Sequence, residues 1–573
     1  MTVIENENTL KHKPGWITGA LVGIMLTAPL IVVFYLGEQL AGLPFVPFDI
    51  FDWMGRVTPG AIITFVIDTM VDMLTALNFG DELSSTAKTA ENLMGLSTTL
   101  GIGIVAGALL FFLLNRAKQA NPYLFGGAMG AGIGVILILI FNRVNLTATA
   151  DPTLSMAWIF LTFTIWGVAY GWIYSDLSAI GASKAEDASA NAQQLDRRQF
   201  LVRLGGATAT LTVLGAGLNL VLRGGEDTTT TATTIASLTE GSEIEGVIEP
   251  SPDTIGEEAG IPDDLPNAGD AVEPAPGTRP EYTPLDNHYR IDISSRPPII
   301  DAASWTLAIS GLVGNPKSYT LNELVEDYQP VDRFVTMQCI SNRLGGSLIS
   351  TTRWTGIKLQ DLIEEWDIQP EATHLRISSA DGFDEYLSLE TIREDERIMI
   401  AYAWDGRPLK RKHGFPIRIH VPDLYGMKQP KWITDIEAVD SWEEGYWVRR
   451  GWSATAVINM TSVVDTVATD AIIEEDGEMF VPIGGIAFTG AKGVSKVEVQ
   501  VDEGEWQEAE LRTPLSDTSW YIWRYNWQFE EGNHTFRVRT FDADGGMQTG
   551  TERGTRPDGA TGWHSIDRNV EAV

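Results

Sequence analysis

The chain has 573 residues, with 41 Lys or Arg against 76 Asp or Glu, and its formal net charge is −35. This acidic balance, with no basic stripe, argues against nucleic-acid binding, because recognition of phosphate backbones rests on clustered Lys and Arg. The length predicts three or more structural units. The single cysteine excludes an intrachain disulfide.

The N-terminal region is dominated by long apolar runs, each of about 18 residues or more, a length that crosses a bilayer as a helix. One such run would also suit a buried core helix, but five of them predict a helical membrane domain over residues 1–223. The five predicted spans are Trp16–Leu36, Leu93–Leu114, Leu124–Phe141, Met156–Tyr174 and Leu204–Leu222.

A further apolar run, 61–79, contains Asp68 and Asp72, which share one helical face because they are four residues apart. Charges at membrane depth are costly and normally face a cavity or the interface. The basic residues that flank the first two long runs are expected on the cytoplasmic side. Five spans satisfy this if 61–79 lies in the interface or re-enters; a sixth span is the alternative.

Ahead of the fifth run, Arg197-Arg198-Gln199-Phe200-Leu201 resembles a twin-arginine export signal, in which two arginines and Phe-Leu precede a mild apolar segment. The alternative is an ordinary basic flank of a helix. Both interpretations predict a multi-pass protein of the cell membrane. Both also place the N-terminus in the cytoplasm and the chain after Leu222 on the extracytoplasmic side.

The composition changes twice after the membrane domain. Residues 224–280 are rich in Thr, Pro and acidic residues, which predicts a disordered acidic linker because little apolar surface is available for burial. Residues 281–454 then read as a mixed α+β domain and 455–573 as an all-β domain. The predicted strands are Trp305–Val313, His374–Ser379, Pro416–Val421, Val494–Val501, Trp520–Phe529 and His534–Phe541, and the predicted helices are Leu321–Tyr328 and Leu359–Trp366.

The only cysteine, Cys339, follows the apolar run Val335–Gln338 and precedes a polar turn, Ser341–Gly346, that has two glycines. Taken alone, a single Cys is more often a small buried hydrophobe. Here the pattern predicts a thiol at the point where a strand opens into a loop, and loops on a rigid scaffold commonly carry chemistry. A lone thiolate is a strong metal ligand, although it cannot make a Cys-only zinc or iron–sulfur site.

Three further stretches follow the Cys339 loop. They are Arg353-Trp354-Thr355-Gly356-Ile357, then Tyr402–Arg418 with its His413-Gly414-Phe415-Pro416-Ile417-Arg418, then Tyr425–Trp432. In this order and spacing they resemble the sulfite-oxidase family of molybdenum enzymes, over roughly residues 281–573. The resemblance implies a molybdopterin-binding α+β domain followed by an immunoglobulin-like β-sandwich of the dimerisation type. It also implies an oxidoreductase that transfers an oxygen atom to or from a small substrate.

The resemblance assigns roles to the positions that match. Cys339 would bind molybdenum beside the two dithiolene sulfurs of the pterin cofactor, and Arg343 and Trp452 would lie on the catalytic, substrate side. An arginine such as Arg418 can grip the terminal phosphate of the cofactor through two parallel hydrogen bonds. The positions implied to contact the cofactor are Asn287, Tyr289, Arg290, Asn342, Ser379, Asp381, His413, Arg418, Gln429, Pro430 and Lys431.

Three positions depart from the family pattern. Sulfite oxidases hold their anionic substrate with arginines, and this chain has Ile291 and Leu344 at two of those positions. Trp452 stands where the family has a tyrosine, and an indole N–H donates a hydrogen bond but cannot act as a phenol does. Fewer cations weaken the attraction for an anion, so the substrate stays open between sulfite and a neutral sulfoxide.

Electron transfer is expected to need a further protein. Of the seven histidines only His12 precedes residue 288, so the membrane domain lacks a His pair for a b-type haem. A single cysteine likewise argues against a c-type haem and an iron–sulfur cluster. The sequence therefore predicts molybdenum–molybdopterin as the cofactor, with a cytochrome or a quinone-linked protein as redox partner and a homodimer contact through the terminal domain.

Two other functions fit the same sequence. One is a sulfoxide-type reductase that receives electrons from the quinone pool. The other is a non-catalytic surface binding protein on a degenerate oxidoreductase fold. Molybdenum content separates this second alternative from both enzymes.

Overall fold

The computed structural model describes residues 13–60, 62, 69, 83–117, 120–144, 147–182, 199–210 and 265–571. The chain divides into two compact units, of which the first includes the N-terminal helices and Ile293–Ile299, and the second includes most of the chain after residue 264. Three predicted features fall wholly or largely outside the described residues. They are the run 61–79, the arginine pair 197–198 and the greater part of the fifth apolar run.

The first unit is a set of apolar helices. Among the described residues, four helices are long and apolar enough to cross a membrane, and they cover the first four predicted spans. A further helical stretch at 199–210 leads into the fifth predicted run. The helices of this unit are α1 (Trp16–Ala41), α2 (Val46–Val57), α3 (Leu83–Arg116), α4 (Pro122–Val144) and α5 (Pro152–Ala182).

Glycines allow the helices of the first unit to approach closely. A Cβ on Gly19 of α1 would lie 2.2 Å from the carbonyl oxygen of Gly107 of α3. A Cβ on Gly126 of α4 would lie 2.1 Å from the carbonyl oxygen of Gly167 of α5. Helices in lipid gain little from burying apolar side chains against one another, so they associate through small residues of this kind.

The second unit begins with an α+β region built on two sheets. Its helices are α6 (Leu321–Glu326), α7 (Leu359–Glu365) and α8 (Leu389–Glu394). Its strands are β1 (Thr306–Gly311), β2 (Lys317–Thr320), β3 (Val331–Gln338), β4 (Ile349–Lys358), β5 (His374–Ser379), β6 (Asp384–Ser388), β7 (Met399–Trp404), β8 (Arg407–Pro408), β9 (Arg418–His420) and β10 (Ile433–Val439). This arrangement confirms the predicted α+β class.

The order of the strands brings the motif runs together. One sheet has the order β2-β1-β10-β5-β6, in which β1 and β10 are parallel and the other pairs are antiparallel. The other sheet has the order β3-β4-β7-β8, and β9 also pairs with β7. The strand that ends at the Cys339 loop, the Arg353–Ile357 strand and the three strands that include residues of the Tyr402–Arg418 run therefore share one sheet.

The terminal domain is a single barrel-like sheet of eight strands. The strands are β11 (Thr461–Val467), β12 (Ile473–Glu475), β13 (Glu478–Phe488), β14 (Val494–Val501), β15 (Gln507–Leu511), β16 (Tyr521–Gln528), β17 (Gly532–Asp542) and β18 (His564–Val570). Their order is β11-β13-β16-β15-β14-β17-β18, with β12 on β13. Val464 of β11 and Val570 of β18, from the two ends of this order, share one core with Trp523. The all-β prediction is confirmed.

Part of the predicted linker lies against the terminal domain. Within residues 265–280, Asn267 and Ala275 are buried. Arg512 donates hydrogen bonds to the carbonyl oxygens of Asn267, at 2.9 Å, and Val272, at 2.8 Å. Hydrogen bonds from Arg512, the residue that follows β15, hold this segment in place. The composition of the segment gives no sign of this order. The folded region therefore begins ahead of the predicted boundary.

Candidate active site

Cys339 is the first residue after β3. Its N–H donates to the carbonyl oxygen of Leu348 at 2.9 Å, and its Sγ lies 3.0 Å from Ser341 Oγ. Asn342 closes the loop, because its Oδ1 accepts a hydrogen bond from the Leu348 N–H at 3.0 Å. Cys339 is buried, and burial raises the pKa of the thiol. The prediction that the thiol lies where a strand opens into a loop is confirmed.

An aromatic shell lies beside the thiol. Trp354 of β4 and Trp404 of β7 are register partners and belong to the same buried cluster as Cys339. The ring of His413 lies 4.6 Å from that of Trp404 and 5.3 Å from that of His288. Burial lowers the pKa of His288 to about 3 and that of His413 well below its usual range, so both rings are neutral in the folded chain.

Arg418 is a buried cation in this shell. Its guanidinium lies 4.9 Å from the centre of the Trp354 ring, and its Nη1 donates to the carbonyl oxygen of His413 at 3.1 Å. Burial lowers the pKa of Arg418 to about 10. Within the described residues no carboxylate forms a salt bridge with Arg418. A buried charge is costly unless it is paired, so this position favours an anion that comes from outside the chain.

Two more cations lie beside Arg418. Lys431 is paired with it across an isolated β-bridge, and a Cβ on Gly414 would lie 3.3 Å from Lys431 Cβ. Asp292 Oδ2 accepts hydrogen bonds from Lys431 Nζ at 3.1 Å and from Arg290 Nε at 2.6 Å. Lys431 and Arg290 thus share one carboxylate, and with Arg418 beside them the group of three cations carries a net positive charge. That excess suits the binding of a phosphate.

The remaining predicted cofactor positions surround this group in different ways. Gln429 is held within its own turn, because its Nε2 donates to the carbonyl oxygen of Leu424 at 2.8 Å. The Pro430 carbonyl oxygen accepts from the Ile419 N–H at 3.1 Å. The turn containing Ser379 and Asp381 joins the group through the Ala380 N–H, which donates to the Trp432 carbonyl oxygen at 2.8 Å. Tyr289 is buried, whereas Asn287 is exposed.

Several buried polar atoms have no hydrogen-bond partner within the part of the chain that the structure describes. They are Nε2 of His288, Nε1 of Trp354, Oγ of Ser379, Nε2 of His413 and Nε of Arg418. Buried donors and acceptors are nearly always satisfied in folded proteins. These atoms therefore fit a group with an anionic end and polar ring edges, as a pterin phosphate has.

The structure also bears on where a metal would find its ligands. Among the described residues no group of three or more His, Cys, Asp or Glu side chains is placed to hold a metal ion. A metal bound to the Cys339 sulfur would therefore need further ligands that no such cluster in this part of the chain supplies. The two dithiolene sulfurs of a pterin cofactor meet this requirement.

The side of the Cys339 loop that lies near Trp452 is bordered by the terminal domain. Trp452 packs against a buried cluster that contains Ile340, the residue after Cys339. The guanidinium of Arg556, in the loop ahead of β18, lies 4.4 Å from the centre of the Trp452 ring. In the same loop, a Cβ on Gly562 would lie 3.0 Å from Leu344 Cδ1. The terminal domain thus brings a cation to Trp452.

The arginines that lie near the Cys339 loop and Trp452 in the sequence have different surroundings. Arg343 is exposed. Arg449 forms a salt bridge of 2.5 Å with Asp384. The guanidinium of Arg450 lies 3.5 Å from the centre of the Tyr446 ring. The positive charge of Arg449 is therefore compensated locally.

Sequence reasoning missed four residues that the structure brings to this site: His288, Trp354, Trp404 and Arg556. The two tryptophans stand inside the motif runs, so their position was a usable signal. His288 lies beside predicted residues but has no distinctive spacing. Arg556 is far along the chain from Cys339 and follows no motif, so nothing in the sequence alone pointed to it.

Comparison with known proteins is consistent with this geometry. Residues 294–447 match the family described as oxidoreductase molybdopterin binding domain. A nitrate reductase of Hordeum vulgare is 26% identical over 45% of this chain and 36% of its own length. The mitochondrial sulfite oxidase of Homo sapiens is 27% identical over 40% of this chain and 50% of its own length. The chain thus spans about a third to a half of the length of these relatives.

A solved structure, the sulfane dehydrogenase SoxCD from Paracoccus pantotrophus, matches with a TM-score of 0.44 and 19% identity, over 53% of this chain and 85% of its own. The family match covers the strands that surround Cys339, His413 and Arg418. The sulfite oxidase and nitrate reductase relatives agree with that match. The family match and these relatives identify residues 294–447 as a molybdopterin-binding oxidoreductase domain, similar to that of sulfite oxidases and nitrate reductases.

Proposed function

We propose that the protein is a membrane-anchored molybdenum–pterin enzyme that transfers an oxygen atom to or from a small substrate. The observation that carries this proposal is the set of unpartnered buried polar atoms around the unpaired cation Arg418, beside the only thiol. When bound, the cofactor would supply the two-electron chemistry. The relatives named sulfite oxidase and nitrate reductase make a small oxyanion the first candidate substrate.

The residues of the chain have separate tasks in this proposal. Cys339 is the metal ligand; burial raises the pKa of its thiol, so the sulfur holds a proton in the chain alone and releases it on binding a cation. Arg418, Lys431 and His413 hold the phosphate end of the cofactor. His288, Trp354 and Ser379 offer unpartnered polar atoms to its ring edges.

Arg556 supports an anionic substrate. It supplies a cation over Trp452, which offsets part of the charge that the sequence lacks at Ile291 and Leu344. The second candidate is a sulfoxide-type reductase. It is favoured by the apolar Leu344, whose Cδ1 lies so close to Gly562 that a Cβ placed there would be 3.0 Å away, and which suits an uncharged substrate.

We further propose that α1, α3, α4 and α5, together with the predicted fifth span Leu204–Leu222, anchor the protein in the cell membrane, with the N-terminus in the cytoplasm and the catalytic half on the extracytoplasmic side. A separate redox partner, either a cytochrome or a quinone-linked protein, would exchange electrons with the cofactor. The barrel-like terminal sheet would be the immunoglobulin-like dimerisation domain implied by the family resemblance. The membrane anchor and its orientation rest on the apolar helices and on the basic flank at Arg197 and Arg198.

Metal analysis of the purified full chain is the first test. We expect about one molybdenum per chain, as a cofactor of this class requires. Cys339→Ser should abolish turnover, because a hydroxyl is a harder and poorer ligand than a thiolate. Ser341→Ala is the matched control, since Ser341 contacts the sulfur at 3.0 Å but carries no ligand role. A fully active Cys339→Ser variant would contradict the proposal.

Steady-state kinetics with artificial electron carriers separate the two candidate substrates. If the substrate is an oxyanion, Arg556→Met should lower kcat/KM for sulfite by about 10–100-fold, which corresponds to the loss of one charged hydrogen bond. The same variant should leave the kinetics with a neutral sulfoxide nearly unchanged. An unaltered kcat/KM for sulfite, or an equal loss with both substrates, would refute the role of Arg556.

A further inference from the structure

A buried ion pair lies next to the predicted phosphate residues. Lys428 Nζ lies 2.8 Å from Glu385 Oε1, and the two side chains are only 4% and 1% exposed. Lys428 ends the short 3₁₀ turn Gly426–Lys428 and directly precedes Gln429. We call Gly426–Lys431 the cofactor turn. Within the described residues, the Lys428–Glu385 pair is the one side-chain ion pair that joins the cofactor turn to strand β6.

Glu385 also meets the chain that leads to the catalytic Trp452. A Cβ on Gly445 would lie 2.5 Å from Glu385 Oε1 and 2.7 Å from Oε2, so the backbone of Gly445 rests directly on the carboxylate. Residues 443–452 are called the substrate turn. Burial raises the pKa of Glu385, and the pairing with Lys428 opposes that change.

The residues on either side of Glu385 hold the same substrate turn. Asp384 binds Arg449 through a salt bridge of 2.5 Å and accepts the Tyr446 N–H at its carbonyl oxygen at 2.9 Å. The hydroxyl of Tyr386 donates to Glu443 at 3.1 Å. Three successive residues of β6 thus fix the substrate turn, and the middle one also fixes the cofactor turn.

We propose that Glu385 and Lys428 are a positioning pair that ties the cofactor turn to the substrate turn, so that retention of the cofactor and binding of the substrate depend on each other. This inference rests on the proposed function. Neither residue touches the reacting atoms; both act through Lys431 and Trp452. A buried ion pair adds little net stability compared with apolar residues of the same size, so its value here lies in fixing the relative position of two turns.

The test uses the full chain, loaded with cofactor, in three variants: Lys428→Met, Glu385→Gln and the double variant. Lys428→Met leaves a lone buried carboxylate, so both thermal stability and cofactor retention should fall. The double variant removes both charges and should regain thermal stability. If the pair positions the turns, the double variant should still release molybdenum about 10–100-fold faster than the wild type, as is typical when a supporting residue is lost.

A fourth variant, Gly445→Ala, keeps both charges and moves the substrate turn away from Glu385. It should raise KM and also speed the release of molybdenum, although Gly445 lies outside the cofactor turn. Gly269→Ala is its control, because a Cβ there meets no atom within 4 Å. Lys317→Met controls for loss of a lysine from a salt bridge, since the Lys317–Glu365 pair is largely exposed.

The outcomes separate this inference from the proposed function. A wild-type protein without molybdenum would contradict the proposed function. A wild type with molybdenum, whose double variant recovers cofactor retention and KM together with thermal stability, would overturn the positioning pair alone. A Gly445→Ala variant that alters KM and leaves the rate of molybdenum release at the wild-type value would also overturn it.

Discussion

Replacing Arg418 by Met tests whether this buried cation is kept for an anion from outside the chain. In the structure the guanidinium is paired with a carbonyl oxygen and an aromatic ring rather than with a carboxylate. The buried charge of such an arginine destabilises the cofactor-free chain. It is compensated, and becomes stabilising, once a phosphate is bound. The two forms of the protein should therefore respond differently to the same substitution.

The magnitude follows from the local contacts. Burial lowers the pKa of Arg418 from 12.5 to about 10, and at 1.36 kcal/mol per pKa unit the buried charge costs about 3 kcal/mol. Met removes this cost but also loses a charged hydrogen bond and a cation–π contact, together worth about 2–5 kcal/mol. The free energy of unfolding of the cofactor-free chain should therefore change by no more than about 2 kcal/mol.

Arg512→Met is the matched control. Arg512 is equally buried and forms a salt bridge of 3.0 Å with Glu281. Its removal leaves a lone buried carboxylate and should cost about 3–5 kcal/mol. The comparison separates the loss of any buried arginine from the loss of one that has no carboxylate partner.

The assay is denaturant unfolding of both variants, each prepared from molybdate-depleted cells and from cells supplied with molybdate. In the cofactor-loaded protein, Arg418→Met should weaken cofactor retention by about 100-fold, the equivalent of about 3 kcal/mol from charged hydrogen bonds to a phosphate. If Arg418→Met destabilises the cofactor-free chain as much as Arg512→Met and leaves molybdenum content unchanged, the reasoning is refuted.

Two further predictions concern acid stability and topology. Burial lowers the pKa of His288 and His420 to about 3, so unfolding takes up protons once the pH falls below their ordinary value of about 6.5. The stabilisation that comes from keeping these rings neutral is fully present above that pH and is lost progressively towards pH 3. His420→Gln should make the free energy of unfolding depend less steeply on pH in this range. An unchanged slope would contradict this prediction. A reporter that is active only in the cytoplasm, fused after Val573, should be silent, whereas a strong signal would reverse the proposed orientation.

The elements that the sequence predicted are those whose pattern is local. The helices at Leu321–Glu326 and Leu359–Glu365 and the strand Val494–Val501 lie within one or two residues of their predicted bounds. Their apolar spacing, and the capping box of Thr320 and Glu323, are complete within a few residues of the chain. The order of residues 265–280 was not predictable, because it depends on hydrogen bonds from Arg512.

The residues of the candidate site also fall into a group that a local motif predicts and a group that only the fold brings together. His413, Arg418 and Lys431 stand in one continuous motif run, and the structure brings them together through strand β9 and its bridge to Lys431. Glu385 and Arg556 reach the site from β6 and from the terminal domain. Their importance depends on which strands become neighbours, and a single sequence gives no register for such distant pairs.

The charged residues around Trp452 show that the number of arginines near a motif in the sequence does not predict the net charge at that place in the fold. The sequence suggested a loss of two cations at Ile291 and Leu344. In the fold, Asp384 compensates Arg449, whereas Arg556 joins Trp452 from the other domain. Since the loop of Arg556 and Gly562 lies in the terminal domain, the proposed selection for or against an anion would depend on that domain, and a chain truncated before Thr461 should lose it.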